Sequence, residues 1–213
     1  MAVSLSDQTP CVLRSLRFAV KSFFANRGKM LRSVAAGVLL AGALFGGYIG
    51  YLQLSGNFHR VVRDQLYRSA QLSPAQLEKH VRDHGIKTII NLRGENVNAQ
   101  WYNAEIETAQ QLGVEHIDFA MSSGTVLTPE RADELVAIMK AAPKPILIHC
   151  QSGADRTGLV SVIYSQQIAG VREDVAERQL SVRYGHVAIP HISSVYAMDV
   201  SWDRLETHYG IKG

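Results

Sequence analysis

His149-Cys150-Gln151-Ser152-Gly153-Ala154-Asp155-Arg156-Thr157-Gly158 is the stretch on which the fold turns. The apolar run Pro145-Ile146-Leu147-Ile148 leads into it, and a helical pattern follows from Thr157 to Ala169. The order is strand, loop, helix. Five residues separate Cys150 from Arg156. That length lets the chain curl with successive backbone N–H groups pointing inward, while the helix beginning near Arg156 adds its positive end. The result is a cradle for a tetrahedral anion such as phosphate. Gln151, Ser152, Gly153, Ala154, Asp155 and Arg156 are its expected lining. Gly153 permits the turn and leaves room for an oxyanion. Arg156 holds two oxygens through its planar fork, which a lysine cannot do.

The same positive surroundings favour a thiolate at Cys150. A thiolate beside a bound phosphoryl group attacks phosphorus and forms a phosphocysteine. The Thr157 hydroxyl is placed to hydrogen-bond the sulfur and ease its departure in the second step. His149 is expected to order the loop through hydrogen bonds.

His-Cys-x-x-Gly-x-x-Arg-Thr-Gly resembles the signature of the protein tyrosine and dual-specificity phosphatase superfamily. Leu66-Tyr67-Arg68-Ser69-Ala70-Gln71 and Ile86-Lys87-Thr88-Ile89-Ile90-Asn91-Leu92-Arg93 resemble the opening segments of compact bacterial and fungal atypical dual-specificity members. The resemblance runs from about residue 66 to residue 209. It implies an α/β fold with a mostly parallel central sheet flanked by helices, and phosphate-monoester hydrolysis without a cofactor or metal. It also implies a general acid for the leaving oxygen. The family usually takes this from an aspartate roughly thirty residues before the cysteine. Asp118, 32 residues upstream, is the positional match, although no Trp-Pro-Asp is present. Asp155 is the rival. Phosphoinositide phosphatases similar in this detail carry an aspartate inside the loop, which can also orient Arg156 or cap the helix. Both aspartates stay open.

Outward from the loop, short apolar runs alternate with amphipathic stretches, as a parallel sheet covered on both faces requires. Strands are expected at Leu66-Tyr67-Arg68, 86–92, 114–119 and 145–149. Helices are expected from Ser73-Pro74 to about His84, over 104–112, from Thr128-Pro129-Glu130 through Met139, over 157–169, and near 172–184 and 193–209.

Upstream of the sheet lies a different kind of segment. Residues 33–54 carry no charge and are long enough to cross a bilayer core, which needs about 20 residues. Before them stand Arg14, Arg17, Lys21, Arg27, Lys29 and Arg32 against Asp7, a charge of +5; the remaining 16 basic and 18 acidic residues give −2. This asymmetry reads as a membrane flank and excludes the nucleic-acid binders, which concentrate positive charge on the folded part. The expected division is a basic cytoplasmic segment (1–32), a transmembrane anchor (33–54) and a phosphatase domain (55–213). The domain would then face the periplasm from the inner membrane. The competing reading of the apolar run is a cleaved signal peptide. Gly42, Gly46 and Gly50 share one helix face and could form a homodimer seam.

Cys11 and Cys150 flank the apolar run and are not expected to pair. The eight histidines show no metal-ligand spacing. Arg93, after a strand end, either reaches the substrate or forms a local ion pair. Arg183-Tyr184-Gly185-His186 either packs behind the loop or contributes at the pocket rim, with packing favoured, and Trp101, Tyr102 and Trp202 are expected to be core or surface aromatics rather than recognition platforms. Phosphotyrosine proteins, phospholipids and inositol phosphates all fit such a loop as substrates. The competing classes are a phosphate-binding pseudophosphatase or membrane scaffold, and a rhodanese-like sulfur carrier. Arg156-Thr157 at this spacing argues against the carrier.

Overall fold

The computed structural model describes residues 9–211, with side chains from Met30 onward, so Cys11 and the basic residues before Met30 lie outside the described side chains. The chain forms two compact units, Met1–Ile49 and Gly50–Gly213. In the first, the described backbone is helical, part of α1 (Thr9–Leu54). Within α1, the 25 residues Met30–Leu54 have the length and composition to cross a membrane, with mean hydropathy 1.7 over an 18-residue window. Leu39, Leu40 and Leu44 stand exposed along it.

The second unit is a five-stranded sheet, order β1-β2-β5-β3-β4. Its strands are β1 (His59–Val62), β2 (Leu66–Ser69), β3 (Thr88–Asn91), β4 (Glu115–Asp118) and β5 (Ile146–His149). Four run parallel; β1 adds to the edge antiparallel to β2. The central strands are buried on both sides, and their side chains alternate between two cores. Tyr67, Ile89 and Leu147 pack with Leu77, Val81 and Ala109, from α2 (Pro74–His84) and α3 (Gln100–Leu112). Leu66, Ile90, Ile146 and Ile148 face Leu135, Met139, Leu159, Val162 and Leu205. Those side chains come from α4 (Pro129–Ala141), α5 (Asp155–Gln167) and α7 (Ala197–Tyr209). Each fully buried aliphatic side chain contributes roughly 1.5–3 kcal/mol. A one-residue slip of β5 would exchange these faces, so the register that sets Cys150 beyond the strand end is strongly held.

Local signals place the helices. Ser73 caps α2 in a box with Gln76, Pro74 opens it, and Gly85 closes it at φ 63. Thr128 and Pro129 do the same for α4. The region expected as a helix near 172–184 is broken into α6 (Glu173–Ala176) and two 3-10 turns, 177–179 and 182–184. β1 is absent from the sequence reading, because His59-Arg60-Val61-Val62 has no alternating pattern to mark it.

Candidate active site

Parallel pairing aligns Ser69, His149, Asn91 and Asp118 in one row across the carboxyl ends of β2, β5, β3 and β4. That edge is where open α/β sheets build their sites. Residues 150–154 turn there from β5 into α5.

The carbonyls of residues 151–154 in this loop are held from outside. Gln151 O accepts from the Gln71 backbone N–H at 3.2 Å. Ser152 O accepts from Asn57 Nδ2 at 3.0 Å and Gln53 Nε2 at 3.4 Å. Gly153 O and Ala154 O accept from Arg68 Nη2 at 2.8 and 3.1 Å. Peptide planes pinned this way turn their N–H groups to the concave side. One of them, Gly153 N–H, donates to Cys150 Sγ at 3.3 Å. Cys150 is 1% exposed. Gly153 has φ +70, and a Cβ there would lie 2.5–2.6 Å from the backbone of Ala70 and Ser69. Its glycine is therefore required by the end of β2 as well as by the turn.

Arg156, in the first turn of α5, donates through Nη1 to Leu92 O (3.3 Å) and Met121 O (3.2 Å). Its Nε is buried with no partner, as is the Thr157 hydroxyl. Buried donors left open at the mouth of an N–H-lined loop suit an oxyanion. Arg93 is the second guanidinium here. It stacks on Trp101 at 3.5 Å and donates to Gln71 Oε1 at 3.0 Å. Burial lowers its pKa, and so does the charge of nearby Arg156, while Glu105 and Cys150 act in the opposite sense.

The two candidate acids are held differently from expectation. Asp155 opens α5 but makes no ion pair with Arg156 among the described contacts. Its Oδ1 meets His186 Nδ1 at 2.7 Å, and His186 Nε2 meets Asp199 Oδ2 at 3.1 Å. Burial opposes a charge on His186, but the hydrogen bond to Asp155 and the charge of Asp199 outweigh it and raise its pKa. Asp118 is the last residue of β4, on a strand rather than a free loop. It accepts from Asn91 Nδ2 (2.7 Å) and Tyr102 Oη (2.6 Å). Two strand spacings, roughly 9–10 Å, separate β4 from β5. Burial and the bond to Asp118 raise the pKa of Tyr102.

Three further residues complete the site: Glu105, which sequence reading passed over, and Arg68 and His186, which it quoted only within longer segments. Arg68 is fully buried. Besides the loop carbonyls it donates to Gln179 O and Oε1, and it lies 4.1 Å from the Tyr184 ring centroid. Burial lowers its pKa to about 10, against the opposite pull of Tyr184, Cys150 and Asp155. Glu105 is a buried carboxylate on α3. It accepts from Gln71 Nε2 at 2.6 Å, and its Oε1 also meets His116 Nε2 (2.9 Å) and His149 Nε2 (3.0 Å). Burial would raise its pKa; the charge of His149 and the bonds from His116, His149 and Gln71 hold it at about 2. His186 is the third. Within the quoted Arg183–His186 segment, only its burial beside a carboxylate distinguishes it. The ligand atoms of Glu105, His116 and His149 lie within 4.8 Å of one another, a grouping that linear spacing concealed. A cavity of about 340 Å³ beside Asp174, Glu177, Asp199 and Asp203 is lined by carboxylates, which disfavours a phosphate.

Sheet order, cysteine loop and the arginine that follows it define a member of the protein tyrosine and dual-specificity phosphatase superfamily. The chain belongs to the family described as a DSP-PTPase phosphatase fused to NAD+ kinase, whose model matches residues 55–193. It is 32% identical over 104 residues to a probable chloroplastic NAD kinase 2 of Oryza sativa subsp. japonica. That match takes in 48% of this chain and 10% of the relative, so the chain spans about a tenth of the relative's length. Among solved structures it is similar to a putative phosphatase of Shewanella putrefaciens CN-32, with TM-score 0.53 and 15% identity over 71% of this chain and 92% of that one. P. aeruginosa TpbA gives 0.51 and 22% over 73% and 92%. The core catalytic domain of the S. cerevisiae PP-IP phosphatase SIW14 gives 0.51 and 19% over 72% and 93%. At these identities the likeness is one of fold.

Proposed function

We propose that this chain hydrolyses phosphate monoesters through a phosphocysteine at Cys150. The observation that carries the reading is the loop whose 151–154 carbonyls are held by donors from outside it, with Arg156 Nε and Thr157 Oγ1 buried and open beside it. In the first step the Cys150 thiolate attacks phosphorus. The S–P bond forms as the P–O bond to the leaving group breaks, and the leaving oxygen takes a proton from a carboxylic acid. In the second, water attacks phosphorus, and inorganic phosphate and the thiolate are released. Thr157 Oγ1 is the hydrogen-bond donor to the departing sulfur. Arg156 and the loop N–H groups follow the equatorial oxygens through both steps.

We assign the proton to Asp118. Asp155 Oδ1 is already engaged by His186 Nδ1 at 2.7 Å. The residues after Asp118, 119–127, hold no other carboxyl group. The substrate is a phosphotyrosine protein or a membrane or lipid phosphate. The chain is a single-pass membrane protein held by α1, with its catalytic domain in the periplasm and the Gly42, Gly46 and Gly50 face free for a second helix. The length and hydropathy of Met30–Leu54 and the basic flank support this.

The test is release of phosphate from an aryl phosphate by the full chain, with Cys150→Ser beside it. Turnover by the wild type, none by the variant, and retained vanadate binding in both are expected. Variant turnover within about tenfold of wild type would sink the mechanism, because loss of a covalent nucleophile removes far more.

A further inference from the structure

The last turn of α1 is built into the phosphate loop. Residues 50–54 belong to the same unit as the sheet. Leu52 is a core side chain, 3% exposed, and Gln53 Nε2 donates to Ser152 O. Beyond the turn, Gly56 O accepts from Ala70 N at 2.8 Å. Asn57, buried and at φ 45, donates through Nδ2 to Ser152 O at 3.0 Å and to Tyr184 O at 2.9 Å. An amide nitrogen has two hydrogens, and these two carbonyls use both. One side chain therefore joins the helix end, the phosphate loop and the segment that begins at Val182.

Beyond the exposed Arg183, the exposed side chains from Val187 to Ile192 are apolar except for His191. Val182, Val187, Ile189 and Ile192 are exposed, Ile192 by 81%. From Val187 to Met198 there is no Asp, Glu, Lys or Arg. Single exposed apolar residues are ordinary, but an uncharged run of them marks a contact surface. The occupant follows from the chain itself. Met30–Leu54 has 25 residues, and a bilayer core takes about 20. About five residues, or 8 Å at 1.5 Å each, are left for the headgroup layer. One of them, Gln53, bonds Ser152 O, and Asn57, three residues past the helix end, bonds it too. Connectivity then ties the phosphate loop to the residues that leave the apolar helix.

We propose that residues 187–192 contact the bilayer and that the site takes a phosphate monoester carried on a membrane lipid. This rests on the phosphatase reading above.

The full chain is reconstituted in phosphatidylcholine vesicles containing phosphatidic acid as the probe. Short-chain soluble phosphatidic acid, a phosphotyrosine peptide and an aryl phosphate are the comparisons. Vesicle-borne phosphatidic acid should turn over at least about tenfold faster than the short-chain form. Ile189→Asp/Ile192→Asp should remove most of that advantage, about tenfold, while aryl phosphate turnover stays within about twofold; a tenfold change is about 1.4 kcal/mol. Ile192→Asp alone serves if the double variant does not fold, since that side chain is almost wholly in solvent. Three results would overturn the proposal: a phosphotyrosine peptide turned over better than vesicle-borne lipid, no advantage of vesicle over short-chain lipid, or a folded variant that retains the vesicle advantage. No aryl phosphate turnover by the wild type would instead remove the phosphatase reading.

Discussion

The guanidinium of Arg68 donates to the carbonyl of Gly153 at 2.8 Å from a position with no exposure to solvent. The same nitrogen reaches Ala154 O, and the other terminal nitrogen reaches Gln179. A buried cation with no carboxylate among its described hydrogen-bond partners is costly to bury. Here it faces four carbonyl-type oxygens, an aromatic ring, and the Cys150 side of the loop. It holds the convex side of the cradle, so that the concave side presents donors.

Arg68→Met should leave those acceptors unpaired, at about 1–3 kcal/mol each where water cannot reach. Aryl phosphate kcat/KM should fall about a hundredfold, and alkylation of Cys150 by iodoacetamide at pH 7 should slow several-fold. Arg68→Lys should recover little, because lysine lacks the fork that spans two carbonyls. Unchanged kcat/KM in a folded Arg68→Met protein would remove Arg68 from the site.

The acid assignment is read with two leaving groups. Asp118→Asn should lower kcat by about 10²–10⁴ on an alkyl phosphate and much less on an activated aryl phosphate, whose oxygen hardly needs a proton. Asp155→Asn should raise KM for both, because it frees His186 and disturbs the start of α5. If the two patterns exchange, Asp155 is the donor.

Glu105 makes a pH-dependent contribution to stability. Its folded pKa of about 2 lies below the ordinary value of 4.5, so the stabilisation is present above about 4.5 and fades as pH falls toward 2. The depression corresponds to at most about 3 kcal/mol. Glu105→Gln should therefore be less stable than wild type in urea at pH 6, with a gap that shrinks markedly at pH 3. An equal gap at both pH values would count against a charged Glu105.

His186 has the opposite sign. Its folded pKa lies above 6.5, so its contribution is complete below about 6.5 and fades as pH rises through the folded value. The stability difference between wild type and His186→Gln should narrow on going from pH 6 to pH 9. Imidazole titration followed by NMR should give a midpoint above 6.5; a midpoint below it would dissolve the Asp155–His186–Asp199 bridge.

Topology is read with fusions after Gly213. A reporter active only in the periplasm should be active there, and one active only in the cytoplasm silent. The reverse pattern would place the domain on the cytoplasmic side and remove the periplasmic assignment.

The phosphate loop was legible because everything it needs is close in sequence. A strand, a cysteine, a glycine and an arginine at fixed spacing define both the turn and the helix that follows. The caps of α2 and α4 were legible for the same reason, since Ser73 and Thr128 act within three residues. The ends of the strands and the broken helix after Arg172 were not, since short elements there are decided by what packs on them.

The sequence by itself determined the local pattern: which residues form the turn between β5 and α5, and the uncharged apolar run at 33–54. Only the tertiary structure decided which distant side chains hold that loop. Arg68, Glu105 and His186 lie 82, 45 and 36 residues from Cys150 in one direction or the other. Even where a quoted segment holds them, as for Arg68 and His186, nothing in their neighbours shows which partner each takes. They converge because strand order sets β2 and β3 on either side of β5, and because each polar group buried there must find a partner across the fold. Asp155 takes His186 and not the adjacent Arg156 for the same reason. Pairing in a core follows distance in space, and sequence proximity to an arginine does not supply it.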